Sequence, residues 1–171
     1  MPERPTPSWR RWLLLSAAIM AADLATKAWV SAEFTAGDLH VITPFLNLVL
    51  WHNAGAAFSF LAGAGGWQRW FFIGLTIAVC AALLFMLRRN ATNRLLCTAL
   101  ALVLGGAGGN LWDRVTLGHV VDFVQLHAAG YYWPAFNVAD SAITVGVALI
   151  VWDGIREARA ARKGGARPES R

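Results

Sequence analysis

The sequence predicts an all-α membrane protein with four transmembrane helices and both termini in the cytoplasm. Its composition is 57% apolar and only 15% charged, against about 45–50% and about 25% in soluble domains. The apolar residues form long blocks, whereas a soluble core would spread them at a period of 2 or 3.6. The basic residues are as unevenly placed. Arg4, Arg10 and Arg11 precede the first block, Arg88, Arg89 and Arg94 lie between the second and third, and Arg156, Arg159, Arg162, Lys163, Arg167 and Arg171 follow the fourth. Residues 31–67 contain no Lys or Arg, and residues 113–137 contain only Arg114. This is the positive-inside asymmetry. It assigns the +5 net charge to membrane topology and leaves none for nucleic-acid binding.

The elements follow in order. A Pro-rich, basic N-terminus (1–11) leads into a first span at 12–30, where Asp23 and Lys27 interrupt the apolar run and argue against a cleaved signal peptide. An outer loop (31–66) contains a β element: Leu46, Leu48 and Leu50 would share one strand face, with Asn47, Val49 and Trp51 on the other. This small sheet is expected to rest on the membrane surface. The second span (67–87) and third span (95–112) each hold about 18 uncharged residues, which reach about 27 Å and match a bilayer core. A cytoplasmic loop (88–94) joins them. A short outer helix or loop (113–134) leads to the fourth span (135–155), and a basic tail (156–171) would lie on anionic inner-leaflet lipid. Trp12 and Trp152 fall at inner span ends, while Trp29, Trp67, Trp70, Trp112 and Trp133 fall at outer ends, as an interfacial belt requires. Cys80 and Cys97 lie within apolar blocks and read as small hydrophobes.

Against this background the carboxylates stand out, because an acid in or near hydrocarbon is by default a functional hypothesis. Asp122 lies on the last outer connection, and Asp140 opens the fourth span. Two acids brought close cannot both ionise easily, and one shared proton supplies an acid and a base together, which is aspartic-protease chemistry. Asn110, Asp113 and Arg114 follow Gly105-Gly106-Ala107-Gly108-Gly109 and could share a face if the third helix continues. The glycines would let a neighbouring backbone approach closely. Asp23 and Lys27, four apart, can pair on the first helix, and Asp23 is expected to reach the neighbouring outer loop as an architectural contact. Asn53 reads locally as a turn residue. Asn137 would cap the fourth helix or project beside Asp140. His40, His52, His119 and His127 are scattered and read as loop or interface contacts.

Five strings in order, over about residues 12–155, resemble the lipoprotein signal peptidases (signal peptidase II), bacterial membrane aspartic proteases that mature lipoproteins. They are Asp23 with Lys27; Asn53-Ala54-Gly55-Ala56-Ala57-Phe58; Gly105-Gly106 with Gly109-Asn110 and Asp113-Arg114; Val121-Asp122-Phe123; and Phe136-Asn137-Val138-Ala139-Asp140. The resemblance implies Asp122 and Asp140 as the catalytic dyad, with Asn53, Asn110, Arg114 and Asn137 lining the site. It implies Asp23, Lys27, Asp113 and Gly106 as structural supports. The substrate it implies is a prolipoprotein cut before its diacylglyceryl-modified cysteine, and the family is the target of globomycin-type antibiotics. The enzyme would be a monomer in the bacterial inner membrane, surrounded by lipid, with its site on the extracytoplasmic side and no metal or cofactor. Two other readings compete: an ion- or proton-coupled transporter using the same carboxylates, and a non-enzymatic lipoprotein-binding factor. The acids gather at one membrane face and the chain has no internal repeat, which counts against a transporter.

Overall fold

The computed structural model describes residues 8–55 and 65–165, with side chains as far as Arg162. The Pro-rich start (1–7), the Ala56–Phe58 end of the second string, Arg167 and Arg171 lie outside the described residues. Among these residues four helices are long and apolar enough to cross a membrane: α1 (Arg11–Glu33), α2 (Trp67–Arg89), α3 (Arg94–Thr116) and α4 (Val138–Gly165). An antiparallel sheet accompanies them, in the order β1 (Leu39–Thr43), β2 (Leu46–Asn53), β3 (Val120–Ala128) and β4 (Tyr131–Tyr132).

The differences from expected boundaries that bear on the site lie in the second half of the chain. Most of the 113–134 connection is strand, because β3 and β4 extend the sheet. Val121 and Phe123 are buried against Val30 of α1 and Leu50 of β2, so pairing gives this apolar segment both a core and hydrogen-bond partners. Helix α3 runs past residue 112, which puts Asp113 and Arg114 on its last turns. Helix α4 starts at Val138 and not at residue 135, because Phe136 still bridges to Val124 of β3 and Asn137 supplies the cap. At its other end α4 absorbs part of the basic tail, where Arg, Glu and Ala are strong helix formers.

Helix α3 is the hub and packs against the other three. Lipid is as apolar as leucine, so close packing and interhelical hydrogen bonds have to hold such helices together. A Cβ on Gly105 would lie 2.6 Å from the Ser16 carbonyl of α1, one on Gly106 would collide with the Ala139 carbonyl of α4, and one on Gly109 would collide with the Asp23 carboxylate. Ser16 adds a bond from its hydroxyl to the Ala101 carbonyl, 2.9 Å. One apolar cluster (Leu83, Leu87, Cys97, Leu100, Val103) fills the arginine-rich end, and a second (Val30, Leu50, Val121, Phe123) joins α1 to the sheet.

Between β2 and β3 the pairing departs from simple alternation. Leu48 pairs with Val124 and Trp51 with Asp122, so Val49 and Leu50 together oppose Phe123. This β-bulge breaks the shared face expected for Leu46, Leu48 and Leu50, and both bulged residues are buried. In unbroken register Leu50 would face Asp122 and Asn53 would turn to the other side of the sheet. The extra residue reverses that parity and brings Asn53 onto the Asp122 face.

Candidate active site

The site grows from Lys27, which is 3% exposed inside the bundle. A buried ammonium needs acceptors for its three donors, and it has three: Asp23 Oδ2 at 2.7 Å, Asp113 Oδ2 at 2.9 Å and Asn110 Oδ1 at 2.9 Å. Asp23 also accepts the Ala139 N–H, 2.9 Å, in the first turn of α4. Its partner across the bundle is therefore a helix terminus and not the outer loop that had been expected; the free N–H groups there favour a carboxylate. Asp113 also accepts the Val121 N–H, 3.2 Å, which fixes the start of β3 one residue before Asp122.

Lys27 orients the next group. With Asn110 Oδ1 turned to the ammonium, Asn110 Nδ2 must face away, and it donates to Asp140 Oδ1 at 2.8 Å. The same logic sets Asn137. Its Oδ1 caps α4 by accepting the Asp140 N–H at 2.8 Å, so its Nδ2 donates to Asp122 Oδ1 at 2.8 Å, with longer contacts to Val121 O and Asn110 Oδ1. It thus both caps the helix and projects into the cluster. In Asn53, Oδ1 accepts the Gly55 N–H at 3.0 Å and Nδ2 donates to Asp122 Oδ2 at 3.1 Å. Three amides, each held by a donor on its oxygen side, present their N–H₂ groups to two carboxyls.

Asp122 and Asp140 come from different elements and are joined through Asn137. Asp122 is buried and Asp140 half-buried. Burial, followed by the nearby Asp140 carboxylate, pushes the Asp122 carboxyl up to about 7, and the bonds from Asn53 and Asn137 only partly oppose this. Arg114 donates to Gly55 O at 2.8 Å and lies over the Phe72 ring, 5.3 Å to its centroid, within electrostatic reach of both carboxyls. Such an assembly can hold one proton between two acids and direct a cation and amide donors at a developing negative charge.

Every site residue named from the sequence takes part in this cluster or, for Gly106, packs beneath it. Phe72 and Arg69 of α2 were not foreseen. Arg69 had left a signal, as a lone arginine just beyond the cation-free 31–67 stretch. The histidines make ring contacts: His40 with Phe34, His127 with Tyr132, and His52 with His119, whose centroids are 4.1 Å apart. Burial and His52 lower the His119 pKa, which favours its neutral form.

Residues 15–156 match the family model described as Signal peptidase (SPase) II. The chain belongs to the signal peptidase II family. It is 51% identical over 151 residues to a lipoprotein signal peptidase of Paraburkholderia phymatum, covering 88% of this chain and 91% of that protein. Lipoprotein signal peptidases of Burkholderia mallei and Burkholderia thailandensis are each 49% identical over the same shares. Two solved bacterial membrane enzymes share the fold. One, determined by the in meso method at 2.3 Å, has TM-score 0.80 and 32% identity over 94% of this chain and 93% of that one. The other, at 1.9 Å, has TM-score 0.73 and 36% identity over 84% and 91%. Signal peptidase II is an aspartic peptidase family, so this chain is a multi-pass membrane protease, and none of these relatives is a transporter.

Proposed function

We propose that Asp122 and Asp140 are the catalytic dyad, and that this peptidase cuts diacylglyceryl-modified prolipoproteins immediately before the lipidated cysteine. One arrangement carries the reading: Asn137 bonds the Asp122 carboxyl and the Asp140 backbone N–H, and the carboxyls of both acids, from separate elements, accept from neutral amides. Asp122, the buried partner with its carboxyl raised to about 7, holds the shared proton and donates it towards the scissile carbonyl oxygen. Asp140 is ionised and takes a proton from the attacking water. The water oxygen bonds to the carbonyl carbon as its π electrons take up the proton from Asp122. Arg114 with the asparagine amides stabilises the negative charge that develops on the carbonyl oxygen in the transition state and passes to Asp122. Breaking the C–N bond transfers the proton held by Asp140 to the leaving amine and returns the proton on the intermediate to Asp122.

The same reading sets the orientation. The arginine-rich end, with Arg88, Arg89, Arg94 and Arg156, faces the cytoplasm of the bacterial inner membrane, and the sheet end faces outward. A lipidated substrate can then keep its acyl chains in the bilayer while water reaches the bond. Cleavage of a diacylated precursor in detergent tests the proposal. Asp122→Asn and Asp140→Asn should each lower turnover by roughly a thousandfold or more, as removal of half an acid–base pair does, with normal accumulation in membranes. Full turnover by both variants would rule the dyad out.

A further inference from the structure

The geometry points to Arg69 as a positioning residue for the catalytic centre, acting through the last turn of α3; this rests on the dyad reading above. A helix leaves its last four carbonyls without intrahelical partners, and an unsupported last turn frays. In α3 these belong to Asp113, Arg114, Val115 and Thr116. Leu117 N–H and Gly118 N–H both donate to Asp113 O, at 2.7 and 3.2 Å. Arg69 reaches across from the first turn of α2 and takes the next two: Nε donates to Arg114 O at 2.9 Å and Nη2 to Val115 O at 2.8 Å. The planar fork of a guanidinium suits two adjacent carbonyls, and its charge suits the negative end of the helix.

The turn so held carries two parts of the site. Arg114, whose own carbonyl is clamped, directs its guanidinium to Gly55 O and into reach of Asp122 and Asp140. Asp113 grips Val121 N–H and Lys27, and so sets the start of β3 beside Asp122. Helix α2 supports this turn twice, since Phe72, one turn after Arg69, lies under the Arg114 guanidinium. The chain then reverses at Gly118 with φ +84°, and a Cβ there would lie 3.4 Å from Arg69 Nη1. Arg69 itself has no contact with the acids; its effect passes through the placement of Arg114 and Asp113.

Steady-state cleavage of a diacylated precursor, measured across pH, tests this. Arg69→Ala should lower kcat roughly tenfold or more and leave KM within about twofold, the pattern of a lost transition-state interaction. A nearby cation lowers carboxyl pKa values, so a displaced Arg114 should move the pH–rate profile to higher pH. Arg69→Lys should restore part of both, because an ammonium can bond one carbonyl but cannot reproduce the fork. An unchanged kcat and profile in Arg69→Ala would overturn the assignment, as would a loss confined to KM, which would make Arg69 a substrate contact. If Arg69→Ala fails to accumulate, Arg69→Lys carries the test alone: wild-type kcat and profile overturn the proposal, and a reduced kcat with a raised profile supports it. Asp140→Asn run in parallel separates the two ideas. Turnover by that variant defeats the dyad itself, whereas its inactivity beside a wild-type-like Arg69→Ala defeats only the role of Arg69.

Discussion

Buried carboxylates at different places in this molecule are neutralised in different ways. Asp23 and Asp113 share Lys27, and Asp153, 2% exposed near the arginine-rich end of α4, pairs with Arg156 at 2.8 Å and accepts from Asn93 Nδ2 at 2.7 Å. Among the described residues, Asp122 and Asp140 receive neutral side-chain donors, from Asn53, Asn110 and Asn137. Among the described residues the ion pairs are those of Lys27 with Asp23 and Asp113, and of Arg156 with Asp153. A cation in contact favours the ionised form of a carboxylate, and burial opposes it. Amides stabilise it less, and a proton can then compete as the neutralising charge. The architectural acids are each held by a cation in contact, while the proposed working acids are held by amides.

Breaking an architectural pair should have the largest effect on stability. Lys27→Met leaves two buried carboxylates without their cation, which costs about 3–5 kcal/mol. The protein should fail to accumulate in membranes, and immunoblotting would measure this. Gly106→Ala tests the packing that brings α4, and with it Asp140, against α3. Its Cβ would meet a backbone carbonyl and the Ile143 side chain, neither able to yield freely. A cost of about 3 kcal/mol is expected, at the upper end for overpacking, with a lowered Tm and lowered turnover together.

The raised pKa of Asp122 predicts a pH slope in stability. The Asp122 carboxyl rises from 3.8 to about 7 on folding, so between these values the folded state binds more protons than the unfolded. Stability therefore falls as pH rises through this window, by about 2 kcal/mol between pH 5 and pH 7. The lowered pKa of His119 acts with the opposite sign, so the Asp122 contribution is best read as the difference between wild type and Asp122→Asn, which lacks it. Equal slopes in the two proteins would contradict the assignment. The smallest effect belongs to Asp153→Asn. It can keep the bond to Asn93 and loses an ion pair whose arginine is largely exposed, so a cost of about 1 kcal/mol is expected, with kcat unchanged.

Hydropathy and charge by themselves predicted four helices long and apolar enough to cross a membrane, and among the described residues the structure has four. The bounds of the first three lie close to expectation, while α4 runs well past residue 155. The physics is local: bilayer thickness sets a length, and the absence of water forces each segment to satisfy its own backbone. The acids and amides of the site were legible for a related reason, since polar groups in so apolar a chain are few. Tertiary structure alone decided how they meet. A strand alternates with period 2, so the single extra residue at Val49–Leu50 decides whether Asn53 faces Asp122, and a pattern of leucines carries no mark of it. The pairing of Asp23 and Lys27 could be read from their spacing. That Lys27 also binds Asp113 and Asn110, and that Asp23 also binds the start of α4, depends on contacts between residues more than eighty positions apart, which become neighbours only once α3 has packed between α1 and α4.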